Sequence, residues 1–318
     1  MLATLVVVVA INAFLYFGYH QPRASPPTGE PTAGKPPAGE PPPEKSPAGK
    51  SPADDPVLVG AGDIADCSGK GDEATAKLLR DVSGTVITTG DNAYPDGSSK
   101  DYEECYDPSW GRYKARTRPT VGNHEYSTKD ASGYFGYFGK AAGDPNKGYY
   151  SYNLGEWHII SLNSECDEVG GCWSDSPMLE WLEQDLASQT ERCTLAYWHE
   201  PRFSSGYHGN VSRMKLIWYV LYAAGTDVVV NGHDHDYERF APQNPGGEAD
   251  SAWGIRQFVV GTGGGERLPL GKIKAHSQVR NDNTFGVLKL TLHPDSYEWK
   301  FVPVAGERFT DSGTSKCH

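Results

Sequence analysis

Six side chains in this sequence combine residue types suited to binding metal ions: Asp63, Asp91, Asn123, His199, His233 and His235. Carboxylate and imidazole ligands suit iron, zinc and manganese ions. Two cations a few ångströms apart repel each other, so a binuclear site needs a bridging carboxylate, and Asp91 is the natural candidate. Such a pair of ions lowers the pKa of bound water towards about 7 and acts as a Lewis acid.

Each motif has an ordinary structural alternative when it is taken alone. Asp63 in Gly-Asp-Ile could cap a helix, and Asp91 after Gly90 could close a strand in a common turn. A lone His199 after a strand is more often a core histidine than a ligand. The segment 232–235 (GHDH) is the strongest single motif, because alternating histidines on an extended chain project to the same side.

Short apolar runs precede four of these residues and predict the strands that position them. Strands are predicted over 57–62, 85–89, 157–162, 194–198, 227–231, 257–261, 285–292 and 297–303, and helices over 72–81, 177–188 and 211–224. Open α/β sheets bind ligands at the carboxyl ends of their strands. The alternation of strands and helices, followed by successive strands, predicts a layered α/β domain with a mixed sheet, or two sheets packed face to face.

The motifs taken together resemble a known family. In chain order they are Asp63, 90–94 (GDNAY), 122–125 (GNHE), His199 and 232–235 (GHDH). This order resembles the calcineurin-like metallophosphoesterases, and within them the purple acid phosphatases. Tyr94 follows Asp91 by three residues, and 232–239 (GHDHDYER) is close to that family's GHxHxYER. The resemblance covers nearly all of 57–318 and implies an α/β fold, a layered β-sandwich of mixed sheets flanked by helices.

The resemblance also implies a ligand set for two metal ions. One ion would be held by Asp63, Asp91, Tyr94 and His235, and the other by Asp91, Asn123, His199 and His233. A phenolate from Tyr94 would favour Fe(III) in the first position, with divalent iron, zinc or manganese in the second. Metal-bound hydroxide would then attack phosphorus in line.

Three more residues are implied to act on the substrate. His124 would contact the phosphate or protonate the leaving oxygen, with Glu125 orienting it. A surface histidine in a turn is the alternative for His124. His208, in the glycine-containing loop 205–209, would contact substrate, although the spacing of this loop varies in the family. The run 261–265 (GTGGG) lacks a P-loop lysine and is predicted to be a turn.

Three functions are compatible with these residues. The first is an acid phosphomonoesterase of the purple type, which acts on small phosphate esters. The second is a phosphodiesterase that acts on nucleotides or phospholipid head groups. A remote third is a non-catalytic binding domain of the cell envelope. The formal net charge of −12 argues against a basic face for nucleic-acid backbones.

The N-terminal sequence differs from the rest of the chain. Residues 1–21 are apolar and predict a signal peptide or a membrane anchor. Residues 22–56, rich in proline and glycine, predict a disordered linker. Residues 57–318 are predicted to form the catalytic domain, secreted or on the extracellular face of the cell membrane.

The six cysteines are an even number without a CxxC pair. The absence of a CxxC pair argues against a zinc ribbon. After an export signal, the even count favours three disulfides over six unpaired buried thiols. Fifteen pairings are possible. We predict Cys67–Cys105, Cys166–Cys172 and Cys193–Cys317.

Overall fold

Two mixed β-sheets flanked by helices form the fold in the computed structural model, which describes residues 55–318. This confirms the predicted fold class. The predicted N-terminal segment 1–21 and residues 22–54 of the predicted linker lie outside the described residues. Among the described residues, no helix is both long enough and apolar enough to span a membrane.

The first sheet has six strands in the order β13-β12-β11-β1-β2-β3. Its strands are β1 (Val57–Ala61), β2 (Thr85–Thr88), β3 (Thr117–Arg118), β11 (Gly286–His293), β12 (Ser296–Pro303) and β13 (Ser312–Lys316). Strand β1 runs parallel to β2 and antiparallel to β11. The start and the end of the described chain therefore share one sheet.

The second sheet has seven strands in the order β10-β8-β9-β7-β6-β5-β4. Its strands are β4 (Tyr150–Leu154), β5 (Trp157–Ser161), β6 (Cys193–Tyr197), β7 (Val228–Asn231), β8 (Tyr237–Phe240), β9 (Arg256–Val260) and β10 (Ser277–Asn281). Between the antiparallel neighbours β4 and β8, strands β5, β6, β7 and β9 run parallel to one another. Their carboxyl ends consequently meet at one edge.

The alternation of side chains along the parallel strands builds two apolar layers. Leu195 and Val228 belong to the core shared with the first sheet, where Val59 and Val86 also lie. The residues that follow these in each strand, such as Ala196, point to the opposite face of the sheet. They belong to a second apolar core, which the fourth and fifth α-helices of the chain complete. Because successive side chains of a strand point to opposite faces, one apolar run can fill both layers.

Helices cover the sheets and connect the parallel strands. They are α1 (Gly71–Asp81), α2 (Ser99–Asp101), α3 (Ser132–Phe138), α4 (Pro177–Ser188) and α5 (Lys215–Ala223). A π-helical segment, Tyr102–Tyr106, follows α2, and 3-10 turns include Trp110–Arg116 and Ser212–Met214. The predicted helix 211–224 therefore begins as a 3-10 turn and becomes α-helical at Lys215.

All three predicted disulfides are confirmed: Cys67–Cys105, Cys166–Cys172 and Cys193–Cys317. The bond between Cys193 and Cys317 joins residues 124 apart in sequence. It ties the beginning of β6 in the second sheet to the residue that follows β13 in the first. Covalent links of this kind stabilise a fold mainly by restricting the unfolded chain.

Candidate metal centre

Asp63 and Asp91 lie in matched turns just beyond parallel strands. Both residues have a positive φ, 58° for Asp63 and 49° for Asp91, which is uncommon for residues with a side chain. The turns are held together because the Asp63 amide donates to the Gly90 carbonyl and the Ile64 amide donates to the Asp91 carbonyl. This pairing places both carboxylates at one edge of the first sheet.

Gly90 is required for the close approach of the two sheets at this edge. Its φ is 88°, and a Cβ at this position would lie 2.6 Å from Nδ1 of His199. His199 follows β6 of the second sheet. The glycine therefore allows a histidine from one sheet to reach a carboxylate on the other.

One group of donor atoms forms around the Tyr94 hydroxyl. That oxygen lies 3.0 Å from Oδ1 of Asp63, 3.1 Å from Nε2 of His235 and 3.3 Å from Oδ2 of Asp91. Asp63 and Asp91 are buried. These are the four residues that the sequence assigns to the first ion, and the structure brings them together.

A second group forms around the Asn123 side chain. Its Oδ1 lies 3.0 Å from Nε2 of His199 and 3.1 Å from Nδ1 of His233. Oδ2 of Asp91 lies 3.2 Å from Nε2 of His199. The same Asp91 oxygen therefore belongs to both groups.

The outer nitrogens of two histidines orient these rings. Nδ1 of His199 lies 2.8 Å from the Thr89 carbonyl, and Nδ1 of His235 contacts the Glu266 carbonyl. A carbonyl only accepts, so each Nδ1 carries a hydrogen, and each Nε2 faces the site. This arrangement is the one by which metal-binding histidines are usually held.

The donor set fits two metal ions. Carboxylate, amide and phenol oxygens converge with imidazole nitrogens at 3.0–3.3 Å. Two neighbouring ligands of an ion bound at about 2.1 Å stand roughly 3 Å apart, so these spacings suit coordination. Asp63, Asp91 and His199 also form a metal-compatible group by distance. The other such group contains Cys193 and Cys317, whose sulfurs are joined to each other.

Without cations, protons must balance the buried carboxylates. Burial lowers the pKa of His199, but nearby carboxylates, Asp91 first, outweigh it and raise the pKa well above its usual range. Burial likewise opposes protonation of His235, yet Asp63 raises its pKa to about 9. Protons and metal ions therefore compete for the same nitrogens, and acid should weaken metal binding.

The sequence predicts that the two histidines of the GHDH segment alternate along an extended chain, and this prediction is wrong. Residues 233–236 are bends rather than a strand, and φ of His233 is 70°. The His233 amide donates to Oδ2 of Asp63 at 2.9 Å, which holds the turn. His233 and His235 reach their groups through this bend and not through alternation along an extended chain.

His124 lies at the opening of the site. Its ring nitrogen Nδ1 contacts the Pro95 carbonyl, and Nε2 lies 3.9 Å from Oδ2 of Asp91. The side chain is 38% exposed and packs edge-on against Tyr94. Since the carbonyl accepts the Nδ1 hydrogen, Nε2 remains available on the side of the carboxylate.

Glu125 does not orient His124 as the sequence predicts. Its buried carboxylate accepts hydrogen bonds from the Asp91, Asn92 and Gly122 amides and from the Tyr102 hydroxyl. Burial raises the pKa of Glu125 to about 7, although these backbone amides oppose the shift. Glu125 therefore fixes the turn that carries Asp91.

His208 lies in a loop that Asp234 holds in place. The buried Asp234 carboxylate accepts hydrogen bonds from the His208 amide at 2.6 Å and the Gly209 amide at 3.1 Å, and from the Ser204 hydroxyl. The His208 ring lies 4.4 Å from the His233 ring, centroid to centroid. The sequence patterns did not identify Asp234. The signal that could have indicated it is its position as an acidic residue between two candidate metal ligands, His233 and His235.

A cavity of about 370 Å³ opens beside the first donor group. Its lining residues are Asp66, Tyr94, Pro95, His124, His208, His235, Glu266 and Leu268. The two histidines expected to contact substrate thus share one cavity with two expected metal ligands. A small phosphate ester fits a space of this size.

Comparisons with known proteins agree with this geometry. The family profile of the calcineurin-like phosphoesterases matches residues 52–237. Purple acid phosphatase 15 of Arabidopsis thaliana is 28% identical over 204 residues, which cover 52% of this chain and 38% of that protein. Probable purple acid phosphatase 20 of the same plant is 30% identical over 166 residues, covering 44% and 38%. The match thus spans less than half the length of these relatives.

Solved structures show the same fold at low identity. A purple acid phosphatase from yellow lupin (Lupinus luteus) seeds has a TM-score of 0.65 and 18% identity, covering 82% of this chain and 53% of that one. GAP50, described as the anchor in the inner membrane complex of Plasmodium, has a TM-score of 0.64 and 16% identity, covering 83% and 89%.

Proposed function

The chain belongs to the calcineurin-like phosphoesterase family, and we propose that it is a binuclear metal-dependent hydrolase of phosphate esters, an acid phosphatase of the purple type. The observation that carries this proposal is the pair of donor groups that share Oδ2 of Asp91. When bound, two ions supply a water of lowered pKa and Lewis-acid stabilisation of phosphoryl oxygens.

The donor groups, and not the fold alone, favour catalysis. A structural neighbour of this fold is described as an anchor, so the fold by itself does not establish catalysis. Here Asp63, Asp91, Asn123 and three histidines converge, with Tyr94 beside them. A binding domain has no need of a cavity that combines these groups with His124.

Iron(III) in the first position is proposed from the environment of Tyr94. Its hydroxyl lies 3.0 Å from Oδ1 of Asp63 and 3.3 Å from Oδ2 of Asp91. Coordination to a cation there would favour the phenolate, a hard anionic oxygen donor that suits Fe(III). The second position, with Asn123, His199 and His233, suits divalent iron, zinc or manganese.

Two histidines of the chain would contact the substrate directly, and one glutamate would act through the backbone. His124, with Nδ1 held by the Pro95 carbonyl, would contact the phosphate or, as the doubly protonated imidazolium, give a proton from Nε2 to the leaving oxygen. His208 would contact the ester from the loop that Asp234 holds. Glu125 would act indirectly, by fixing the backbone of Asp91.

The domain boundaries and location are part of the proposal. Residues 57–318 would form the catalytic domain, because β11 to β13 complete the sheet that contains β1. The three disulfides fit an oxidising compartment. We therefore place the protein outside the cell or on the extracellular face of the cell membrane.

Turnover of paired chromogenic esters tests the proposed function. With iron and zinc supplied, the purified full chain should hydrolyse p-nitrophenyl phosphate with a kcat/KM at least about tenfold above that for bis(p-nitrophenyl) phosphate, because two cations best stabilise a dianionic phosphoryl group. A preference for the diester would favour the phosphodiesterase instead. No turnover of either ester would support a non-catalytic domain.

A further inference from the structure

A second cavity adjoins the one that contains His124. Its volume is about 420 Å³, and it shares Asp66 and Glu266 with the first cavity. Gly265 forms part of its wall, and a Cβ at Gly265 would lie 3.2 Å from Cε2 of Tyr94. The second cavity is therefore separated from a proposed metal ligand by the thickness of one residue.

Two cationic side chains line this second cavity. Lys70 and Arg267 form no ion pair with any carboxylate among residues 55–318. Arg267 is held in place, since its guanidinium donates to the Asn283 carbonyl and lies 5.1 Å from the centre of the Phe285 ring. In a chain with a net charge of −12, two such cations beside the site favour an anionic ligand.

Two acidic side chains, Asp66 and Glu266, line both cavities. Carboxylates disfavour a phosphate beside them, but they accept hydrogen bonds from hydroxyl groups. A ligand that spans both cavities would therefore combine an anion at each end with a hydroxylated middle.

On the basis of the proposed function, we propose that the second cavity binds a second phosphate of the substrate, and that the preferred substrates are bisphosphorylated sugars or polyols. One phosphate would occupy the metal centre while Lys70 and Arg267 bind the other. The reaction stays the same hydrolysis. The ester P–O bond breaks, the oxygen of water joins phosphorus, and a proton reaches the leaving alkoxide oxygen.

Initial rates of phosphate release from fructose 1,6-bisphosphate and fructose 6-phosphate test this inference. For the metal-loaded full chain, kcat/KM should be at least about tenfold higher for the bisphosphate, because two cation contacts of ordinary strength give that factor. Two phosphates of equal reactivity would by themselves account for a ratio of about two, by counting reactive groups. A wild-type ratio near two would overturn the inference.

Matched variants identify the cations responsible. Lys70→Met and Arg267→Met should each lower the ratio, and the double variant should bring it near two. Lys77→Met removes an equal charge from the exposed face of α1 and should keep the wild-type ratio. A ratio unchanged in the double variant would refute the subsite while leaving the phosphatase function intact. Absence of turnover on both sugars and on p-nitrophenyl phosphate would refute the proposed function and the subsite with it.

Discussion

Replacing Asp91 with alanine is expected to remove both metal ions and all measurable hydrolysis. Oδ2 of Asp91 lies 3.3 Å from the Tyr94 hydroxyl and 3.2 Å from Nε2 of His199, so both donor groups depend on it. Without its charge, two neighbouring cations would repel each other with no bridge between them. Elemental analysis and turnover of p-nitrophenyl phosphate measure the two losses together.

Two further variants separate this effect from unfolding. Asp91→Asn preserves the shape of the side chain and tolerates the positive φ of 49° at this position, so the fold should be retained. It should still lose at least one ion and most of the activity. Asp96→Asn, at an exposed acid five residues later, should keep both ions. Full metal content in Asp91→Ala would contradict the bridging role.

Replacing His124 with alanine is expected to lower kcat by roughly 10²–10⁴-fold, the usual effect of losing a positioned acid–base group. Both metals should remain, because the ring stands outside the two donor groups, with Nε2 3.9 Å from Asp91. The defect should be smaller for an aryl ester than for an alkyl ester, since a good leaving group needs little protonation. Parallel assays of p-nitrophenyl phosphate and glycerol 2-phosphate measure this difference.

The comparison of the two esters decides the role of His124. Equal losses on both would indicate that the ring binds phosphate and does not transfer a proton. His276→Asn serves as a control, because His276 is exposed and does not line the cavity. Undiminished activity of His124→Ala on both esters would eliminate any catalytic role.

The sequence predicted the arrangement of the site because its ligands follow strands. Asp63, Asp91, His199 and His233 all come just after largely apolar runs, and parallel strands end at a common edge. Most central strands were predictable for the same reason. All four edge strands, β3, β4, β10 and β13, were missed, because short or polar, partly exposed strands carry no apolar pattern. The interior strand β8 (YERF) was missed as well, since it is short and contains two charged residues.

Contacts between distant segments explain what the sequence could not show. Glu125 is adjacent to His124, which suggested a local partnership, yet its carboxylate binds the amides of Asp91 and Asn92 more than thirty residues away. The chain bends at His233 because the His233 amide donates a hydrogen bond to the Asp63 carboxylate. Asp63 lies in the turn that follows β1 of the first sheet, far from His233 in sequence. None of these three hydrogen bonds leaves a periodic pattern in the sequence.

The metal content of the purified full chain tests the binuclear centre most directly. After loading with iron and zinc and removal of loosely bound ions, elemental analysis should find about two ions per chain, at least one of them iron, as the two donor groups require. Asp96→Asn should match the wild type in the same measurement. One ion or none per chain in a folded protein would contradict the binuclear centre.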